Sequence, residues 1–264
     1  MPTQQRVHPD DLSPRVVLDH LAVDHRTVVV AREDLLPGGT KQRAISPYLQ
    51  DAMSRGVTEF VYASPAPGFA QVALAYASRL LGARCTLFCA LLDGEFHEFS
   101  LLAQSHGATI HPCATLADAE EKAEVFAQGD RLKLPLGFGC SEYHGHLRAA
   151  LATEWANVVD ELGTVPARVW VPVGSATLVT AFRQVVPGNV ELHSVDVRVL
   201  AETDERIKRL HDLPRTIVYR CEQRFLEEST VQPPVPSNAF YDAKLWPLIE
   251  KHAATGDLWW NVAK

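Results

Sequence analysis

Short apolar segments rich in β-branched residues alternate along this chain with longer segments that carry helical spacing. This alternation constrains the fold more than any other feature of the sequence, because strands that alternate with helices form parallel sheets covered by helices. Most of these segments are hydrophobic at nearly every position, which predicts strands buried on both faces. The predicted strands are residues 27–31, 59–63, 85–91, 109–111, 168–173, 191–197 and 216–220. The expected fold class is therefore α/β, with open, doubly wound sheets that bind ligands at the carboxyl ends of their strands.

Turn-forming residues mark the ends of the predicted helices. Ser46 followed by Pro47 is typical of an N-cap and a first helical position, and it predicts a helix over residues 47–55. The alanine-rich segment 69–81 ends at Gly82 and predicts a buried helix. Further helices are expected at residues 100–106, 116–128, 146–162, 178–185 and 241–255. The proline-rich segment 232–236 predicts an extended crossing, since proline is excluded from helix interiors and central strands.

The charge balance and the cysteines exclude several classes of protein. Of 264 residues, 25 are Lys or Arg and 32 are Asp or Glu, and the resulting net charge of −7 argues against general nucleic-acid coating. Residues 1–11 lack the apolar core of a secretory signal, and no apolar run reaches membrane-spanning length, so a cytoplasmic protein without a membrane anchor is expected. The odd number of cysteines without C-x-x-C spacing predicts reduced thiols at Cys85, Cys89, Cys113, Cys140 and Cys221.

Residues 37–41 read PGGTK and form the first candidate for a functional site. The two glycines allow the backbone to turn sharply after the predicted strand 27–31. Lys41, directly after such a turn, can point into a cleft at the strand ends, where desolvation makes its amine a better nucleophile towards carbonyl groups. Taken alone, the segment is more typical of a loop lysine that points to solvent.

A second candidate is the turn that follows the predicted strand 168–173. Gly174, Ser175, Ala176 and Thr177 lead into a helix, and their N–H groups and hydroxyls can form an anion site at its N-terminus. The alternative is a simple connection between a strand and a helix.

The glycine-rich segment 135–146 is a third candidate. His144 and His146 lie two residues apart, but no further ligands for a metal are evident, so surface histidines are expected and no metal site is predicted. Cys140 is expected to be a small buried thiol rather than a reactive one.

Taken together and in their order along the chain, these three candidate segments resemble segments of the pyridoxal 5′-phosphate (PLP) enzymes of the tryptophan-synthase-β fold type. The most similar branch is that of 1-aminocyclopropane-1-carboxylate (ACC) deaminase and D-cysteine desulfhydrase. Residues 32–43, REDLLPGGTKQR, resemble its R-x-D…G-G-N-K-x-R segment. Residues 64–82 occupy the position of its S-x-G-N loop and helix, and residues 135–145 resemble its P-x-G-x-S segment. Its phosphate cup, its D-P-V-Y-x-x-K motif and its final strand correspond to residues 174–177, 238–244 and 256–263.

The resemblance implies which residues bind the cofactor. Lys41 would form a Schiff base with PLP. Phe69 stands where the family has a loop asparagine, and Asn261 is the polar side chain nearest to the position that faces the pyridine nitrogen. The phosphate would be bound by Gly174, Ser175, Ala176 and Thr177.

The resemblance also implies candidates for contact with the substrate. Ser64, Ser141 and Tyr241 would touch the substrate or take accessory acid–base roles beside Lys41. The substrate would be a small-molecule amine, either free or linked to a carrier or a nucleotide.

The family architecture implies two α/β lobes with the cofactor between them. The smaller lobe would be residues 46–133, and the larger, discontinuous PLP-binding lobe would be residues 1–45 plus 134–264. Homodimers are usual in such families, so a homodimer is expected.

Several functions stay open at this stage. The first is a PLP-dependent lyase that acts at Cα of an amino acid or an amino-acid-like amine. The second is a PLP-dependent decarboxylase of an amino acid attached to a carrier, such as a modified base in phage DNA. The third is a degenerate PLP-fold binding protein without turnover, and the fourth is an α/β protein that binds a phosphorylated metabolite through residues 174–177.

Overall fold

The computed structural model of the protein describes residues 12–264. The expectation about a secretory signal concerns residues 1–11, which lie outside the described residues. Within the described chain, no helix is both long and apolar enough to cross a membrane.

The helices and strands alternate as the sequence predicts. The strands are β1 (Leu18–Val23), β2 (Arg26–Arg32), β3 (Glu59–Ser64), β4 (Arg84–Ala90), β5 (Thr109–Cys113), β6 (Arg131–Leu134), β7 (Arg168–Val173), β8 (Glu191–Asp196), β9 (Thr216–Arg220) and β10 (Leu258–Asn261). The α-helices are α1 (Lys41–Ser54), α2 (Ala70–Leu81), α3 (Glu98–Ser105), α4 (Leu116–Phe126), α5 (Ser141–Leu162), α6 (Thr177–Val185), α7 (Glu205–His211) and α8 (Trp246–His252). Short 3-10 helices lie at Glu33–Leu35, Leu136–Phe138 and Asp242–Leu245.

The chain divides into two compact units, each with its own sheet. The smaller unit contains residues 41–136 together with residues 12–14, and the larger unit contains residues 15–40 and 137–264. The sequence predicts the smaller lobe as residues 46–133. Residues 41–45 join it because they form the first turn of α1, and residues 12–14 join it because Arg43 donates to Ser13 Oγ and Pro14 O.

The larger unit is built on a six-stranded sheet with the order β1-β2-β10-β7-β8-β9. All neighbouring strands run parallel except β1, which forms an antiparallel hairpin with β2. The last strand of the chain, β10, is buried at all four residues and lies between β2 and β7. It therefore brings the early segment of the chain and the middle of the chain to one central position.

The smaller unit is built on a parallel four-stranded sheet with the order β5-β4-β3-β6. Strand β3 is buried at every residue. Helix α4 packs against β3 and β4 through Ala119 and Ala123, while α2 packs against α1 and α3. The prediction of open, mostly parallel α/β sheets is confirmed in both units.

Three predicted helices differ from the observed ones. The helix predicted over residues 146–162 begins five residues earlier, at Ser141, as α5. Helix α1 begins at Lys41 rather than at Pro47, which lies inside it. Its residues 42–46 are buried, and their packing outweighs the cost of an internal proline. The helix predicted over residues 241–255 starts instead as a 3-10 turn, and α8 begins at Trp246, where Pro247 fits the first turn. Residues 232–236 lie outside helices and strands, as predicted.

Candidate active site

The backbone turn before Lys41 is fixed by the end of β10. Gly39 has a φ of +60°, and a Cβ at this position would overlap the carbonyl oxygen of Val262. Thr40 donates its N–H to that oxygen at 3.0 Å, and its hydroxyl accepts a hydrogen bond from Trp260 Nε1 at 2.9 Å. The turn therefore requires glycine at position 39, and its hydrogen bonds to the end of β10 fix the backbone conformation directly before Lys41.

Lys41 is the first residue of α1 and its side chain is half-buried. Burial lowers the pKa of Lys41 to about 8. The positive end of the helix dipole also disfavours a cation at this position. A larger fraction of the amine is consequently neutral and nucleophilic near pH 7 than in an ordinary lysine, whose pKa is about 10.4.

The turn between β7 and α6 is held in a constrained conformation. Ala176 has a φ of +67°, which is unusual for a residue with a side chain, and its carbonyl accepts hydrogen bonds from both the N–H and the hydroxyl of Thr180. The hydroxyls of Ser175 and Thr177 lie 3.1 Å apart. The turn thus presents two hydroxyls together with the first N–H groups of a nine-residue helix, which is the chemistry of an anion site.

Close contacts surround this turn. Gly137 lies directly against Ser175, because a Cβ on the glycine would overlap the serine side chain. A Cβ on Gly174 would lie 3.1 Å from Cε1 of Tyr241. The ring of Tyr241 packs edge-on against Phe225, with 5.3 Å between the ring centroids. The late segment of the chain therefore contacts the turn at residues 174–177.

Asp242, which follows Tyr241, is a functional candidate that the sequence did not single out. It is fully buried, and its Oδ1 accepts a hydrogen bond from Val262 N at 2.7 Å. Its Oδ2 has no hydrogen-bond partner among the described residues. Burial raises the pKa of Asp242 well above its usual range, and the charge of Asp34 adds to this effect. The one available signal was its position in the segment NAFYDAK, residues 238–244.

Asn261, at the end of β10, is also fully buried. Its Nδ2 donates to Asp34 Oδ1 at 3.0 Å and to the carbonyl of Pro236 at 2.8 Å, so both amide hydrogens are used. Its Oδ1 has no hydrogen-bond partner within the described part of the chain. The side chain thus joins two segments of the larger unit.

Comparison with known proteins decides the family. The family model for pyridoxal-phosphate dependent enzymes matches residues 13–218. The chain belongs to this family. Its cofactor is therefore PLP, as the sequence predicts.

Solved structures of PLP enzymes share the fold. An ACC deaminase homologue superimposes with a TM-score of 0.76 at 16% identity, covering 98% of this chain and 91% of that chain. An O-ureido-L-serine synthase gives a TM-score of 0.69 at 16% identity, with 97% and 91% covered. The Escherichia coli diaminopropionate ammonia lyase in its apo form gives 0.66 at 15% identity, with 94% and 82% covered. No curated protein matches the chain. The predicted PLP enzyme fold of type II is confirmed.

The residues of this family member fit the chemistry of PLP. The aldehyde requires an amine that can lose its proton, and Lys41 has a lowered pKa. The phosphate requires donors, and the turn at residues 174–177 offers N–H groups and two hydroxyls. The ring nitrogen requires a polar partner away from water, and Oδ2 of the buried Asp242 lacks a partner among the described residues.

The other predicted site residues have varied surroundings. In the smaller unit, Ser64 ends β3, is buried, and donates its hydroxyl to Pro65 O at 3.0 Å. Phe69 precedes α2, is buried, and packs edge-on against Phe99 with 5.1 Å between the ring centroids. In the larger unit, Ser141 begins α5, is exposed, and donates to Glu142 Oε2 at 2.8 Å.

Contacts within the larger unit link several of the predicted residues. The carbonyl of Val262 accepts a hydrogen bond from the turn before Lys41, and the N–H of Val262 donates one to the carboxyl group of Asp242. Tyr241 contacts Gly174. Ser64 and Phe69 belong to the smaller unit and take no part in these contacts.

Proposed function

We propose that this protein is a PLP-dependent lyase that acts at Cα of an amino acid or an amino-acid-like amine. The observation that carries the proposal is the position of Lys41, directly after a turn anchored by Val262, whose N–H holds the buried Asp242. The lowered pKa of Lys41 supports it. When bound, the cofactor supplies an electron sink for the bond that breaks at Cα.

Lys41 has two roles in this proposal. Its amine would hold the cofactor through the aldehyde, and Nζ, when it does not hold the cofactor, would move a proton to or from the substrate. A pKa of about 8 suits both roles, because the group exchanges protons readily near neutral pH.

The turn at Gly174, Ser175, Ala176 and Thr177 would bind the phosphate. The N–H groups at the start of α6 and the hydroxyls of Ser175 and Thr177 would donate hydrogen bonds to its oxygens. The left-handed conformation of Ala176 supports this role, because strained backbone in proteins is concentrated at binding sites.

Asp242 would face the ring nitrogen. Its Oδ1 is held by Val262 N, which leaves Oδ2 to accept a hydrogen bond from a protonated ring or to donate one when the acid carries the proton. Tyr241 and Ser64 are proposed as substrate contacts or accessory acid–base groups, and Phe69 as an apolar neighbour of the ring. For the exposed Ser141, only contact with a larger substrate is proposed.

The names of proteins with the same fold support the lyase class. One is named as an ACC deaminase homologue and another as a diaminopropionate ammonia lyase. Carrier-linked decarboxylation and cofactor binding without turnover are alternative outcomes of the experiment below. A homodimer in the cytoplasm stays an expectation, which light scattering and cell fractionation would check.

The test is to attach the cofactor to its lysine chemically. The purified protein loaded with PLP should be yellow, and borohydride should abolish the visible band and fix the cofactor on Lys41, as peptide mass spectrometry would reveal. Lys41→Ala should lose the band and keep the fold. Lys244→Met is the matched control, because Lys244 is also buried but donates Nζ to Arg224 O at 2.8 Å. Label on another lysine, or no label, would overturn the proposal.

The substrate class is tested with the same loaded protein. Free amino acids, simple amines and amino-acid-modified nucleotides are added in turn, and changes in the visible spectrum are followed by product analysis. Release of ammonia or a leaving group from a free amino acid supports the lyase. Release of carbon dioxide from a modified nucleotide supports the decarboxylase, and a coloured protein that turns over none of these substrates supports the binding protein.

A further inference from the structure

The side chain of Asn261 joins the segment that leads to Lys41 with the segment that leads to Asp242. Its Nδ2 donates to Asp34 Oδ1, seven residues before Lys41, and to the carbonyl of Pro236, six residues before Asp242. Asn261 is fully buried, so water does not compete for these two hydrogen bonds.

The backbone of the next residue makes a second link between the same two segments. Val262 accepts a hydrogen bond from Thr40 N at 3.0 Å and donates one to Asp242 Oδ1 at 2.7 Å. Because Asn261 and Val262 are adjacent, the two links have one origin at the end of β10. Displacement of Asn261 would therefore also displace the N–H that holds the Asp242 carboxyl group.

The Asp34 end of this arrangement is rigid. Arg32 binds Asp34 through two hydrogen bonds, Nε to Oδ1 at 2.8 Å and Nη2 to Oδ2 at 2.9 Å. Arg32 also pairs with Asp19 on β1. Asp34 is fully buried, and its charge helps to raise the pKa of Asp242. Asn261 is thus attached to a fixed point on one side and to the segment before Asp242 on the other.

We propose that Asn261 is a positioning residue for Asp242, which it holds in place relative to the turn before Lys41 through its bonds to Asp34 and Pro236. The inference rests on the proposed function, in which Asp242 faces the ring nitrogen of the cofactor. Both amide hydrogens of Asn261 are already used within the protein, so its N–H groups serve the structure, while the carboxyl group of Asp242 is the group they help to place.

The test compares variants by the spectrum of the bound cofactor rather than by activity. Asn261→Leu removes both hydrogen bonds at nearly constant volume, and Asn261→Asp keeps the shape but replaces the donor with an acceptor that faces Asp34. Asp242→Asn removes the acid itself. For each PLP-loaded protein, the pH at the midpoint of the change in visible absorbance, the PLP dissociation constant and the melting temperature are measured.

The expected result is a shared shift. Asp242→Asn and each Asn261 variant should move the absorbance midpoint in the same direction by about one pH unit, a tenfold change in proton affinity. PLP affinity should fall by about tenfold in each, and combining Asp242→Asn with Asn261→Leu should add little, because the residues act as one unit.

Trp170→Phe is the matched control. It removes a buried hydrogen bond of 2.9 Å, from Trp170 Nε1 to Asp257 Oδ2, in the same sheet but before the start of β10. It should lower the melting temperature and leave the absorbance midpoint unchanged.

Two results would overturn the inference while leaving the proposed function intact. In the first, Asp242→Asn shifts the midpoint and both Asn261 variants keep the wild-type value; in the second, the shifts of Asp242→Asn and Asn261→Leu simply add. A midpoint unaffected by Asp242→Asn would also overturn it. If borohydride does not fix PLP on Lys41, the proposed function itself fails, which is a separate and distinguishable outcome.

Discussion

Replacing Gly39 with alanine should destabilise the larger unit through two separate effects. At a φ of +60°, an alanine costs about 1–2 kcal/mol relative to glycine. The added Cβ would also overlap Val262 O and lie 3.1 Å from the Cβ of Ala263. The turn must then move, which breaks the hydrogen bond from Thr40 N to Val262 O and leaves a buried N–H without a partner, at about 1–3 kcal/mol.

Gly163→Ala is the control that isolates the first effect. Gly163 has a φ of +65° and belongs to the same unit, but nothing lies within 4 Å of an added Cβ. Unfolding of both variants is followed by circular dichroism in urea and by heating. Gly39→Ala should lose about 1–3 kcal/mol more than Gly163→Ala, the cost of the unpartnered N–H. It should also bind PLP more weakly, since Lys41 follows two residues later. Equal losses of stability in the two variants would refute this reasoning.

Three further predictions follow from the surroundings of single residues. Because burial lowers the pKa of Lys41 to about 8, reductive labelling of the apoprotein should modify Lys41 first, with a rate midpoint near that pH; a midpoint above 10 would contradict it. Gly174→Ala crowds the ring of Tyr241 at 3.1 Å and should weaken PLP binding by about tenfold, or about 1.4 kcal/mol, in a fluorescence titration; unchanged affinity would exclude the turn as the phosphate site. Burial lowers the pKa of His193, so the unfolded chain binds a proton at higher pH than the folded one, and stability falls as pH drops below 6.5. His193→Gln should therefore make the melting temperature less dependent on pH between pH 5 and 7. An unchanged dependence of the melting temperature on pH would contradict this prediction.

The seven predicted strands are all present. Strands β3, β4 and β7 are buried runs of largely apolar residues and β8 is buried as well, whereas β5 and β9 are mostly half-buried or exposed. Strand β1 was missed. It lies at the sheet edge and mixes polar residues such as Asp19 with apolar ones, so it lacks the continuous hydrophobicity of a central strand. Strand β6 and helix α7 were missed for a related reason, since their charged side chains hide a short apolar pattern.

The sequence indicated unusual backbone at two segments of the candidate site and did not single out Asp242. The glycines before Lys41 and the small residues from Gly174 to Thr177 reveal unusual backbone in any sequence, because few side chains tolerate it. Asp242 carries no such mark. Its burial and its hydrogen bond to Val262 arise from contacts between segments 20 residues apart, and an isolated aspartate in a loop is most often exposed.

The register of β10 explains why these distant segments meet. Strand β10 pairs in parallel with β2, and Asn261 is opposite Arg32. This register places the Asn261 side chain within reach of Asp34 and leaves Val262, the next residue, to hold Thr40 and Asp242. A slip of one residue would turn every side chain of the strand to the other face and separate Asn261 from Asp34. The contacts of Asn261 and Val262 in the candidate site therefore follow from the register in which the four-residue strand β10 pairs with β2. No local sequence motif specifies that register.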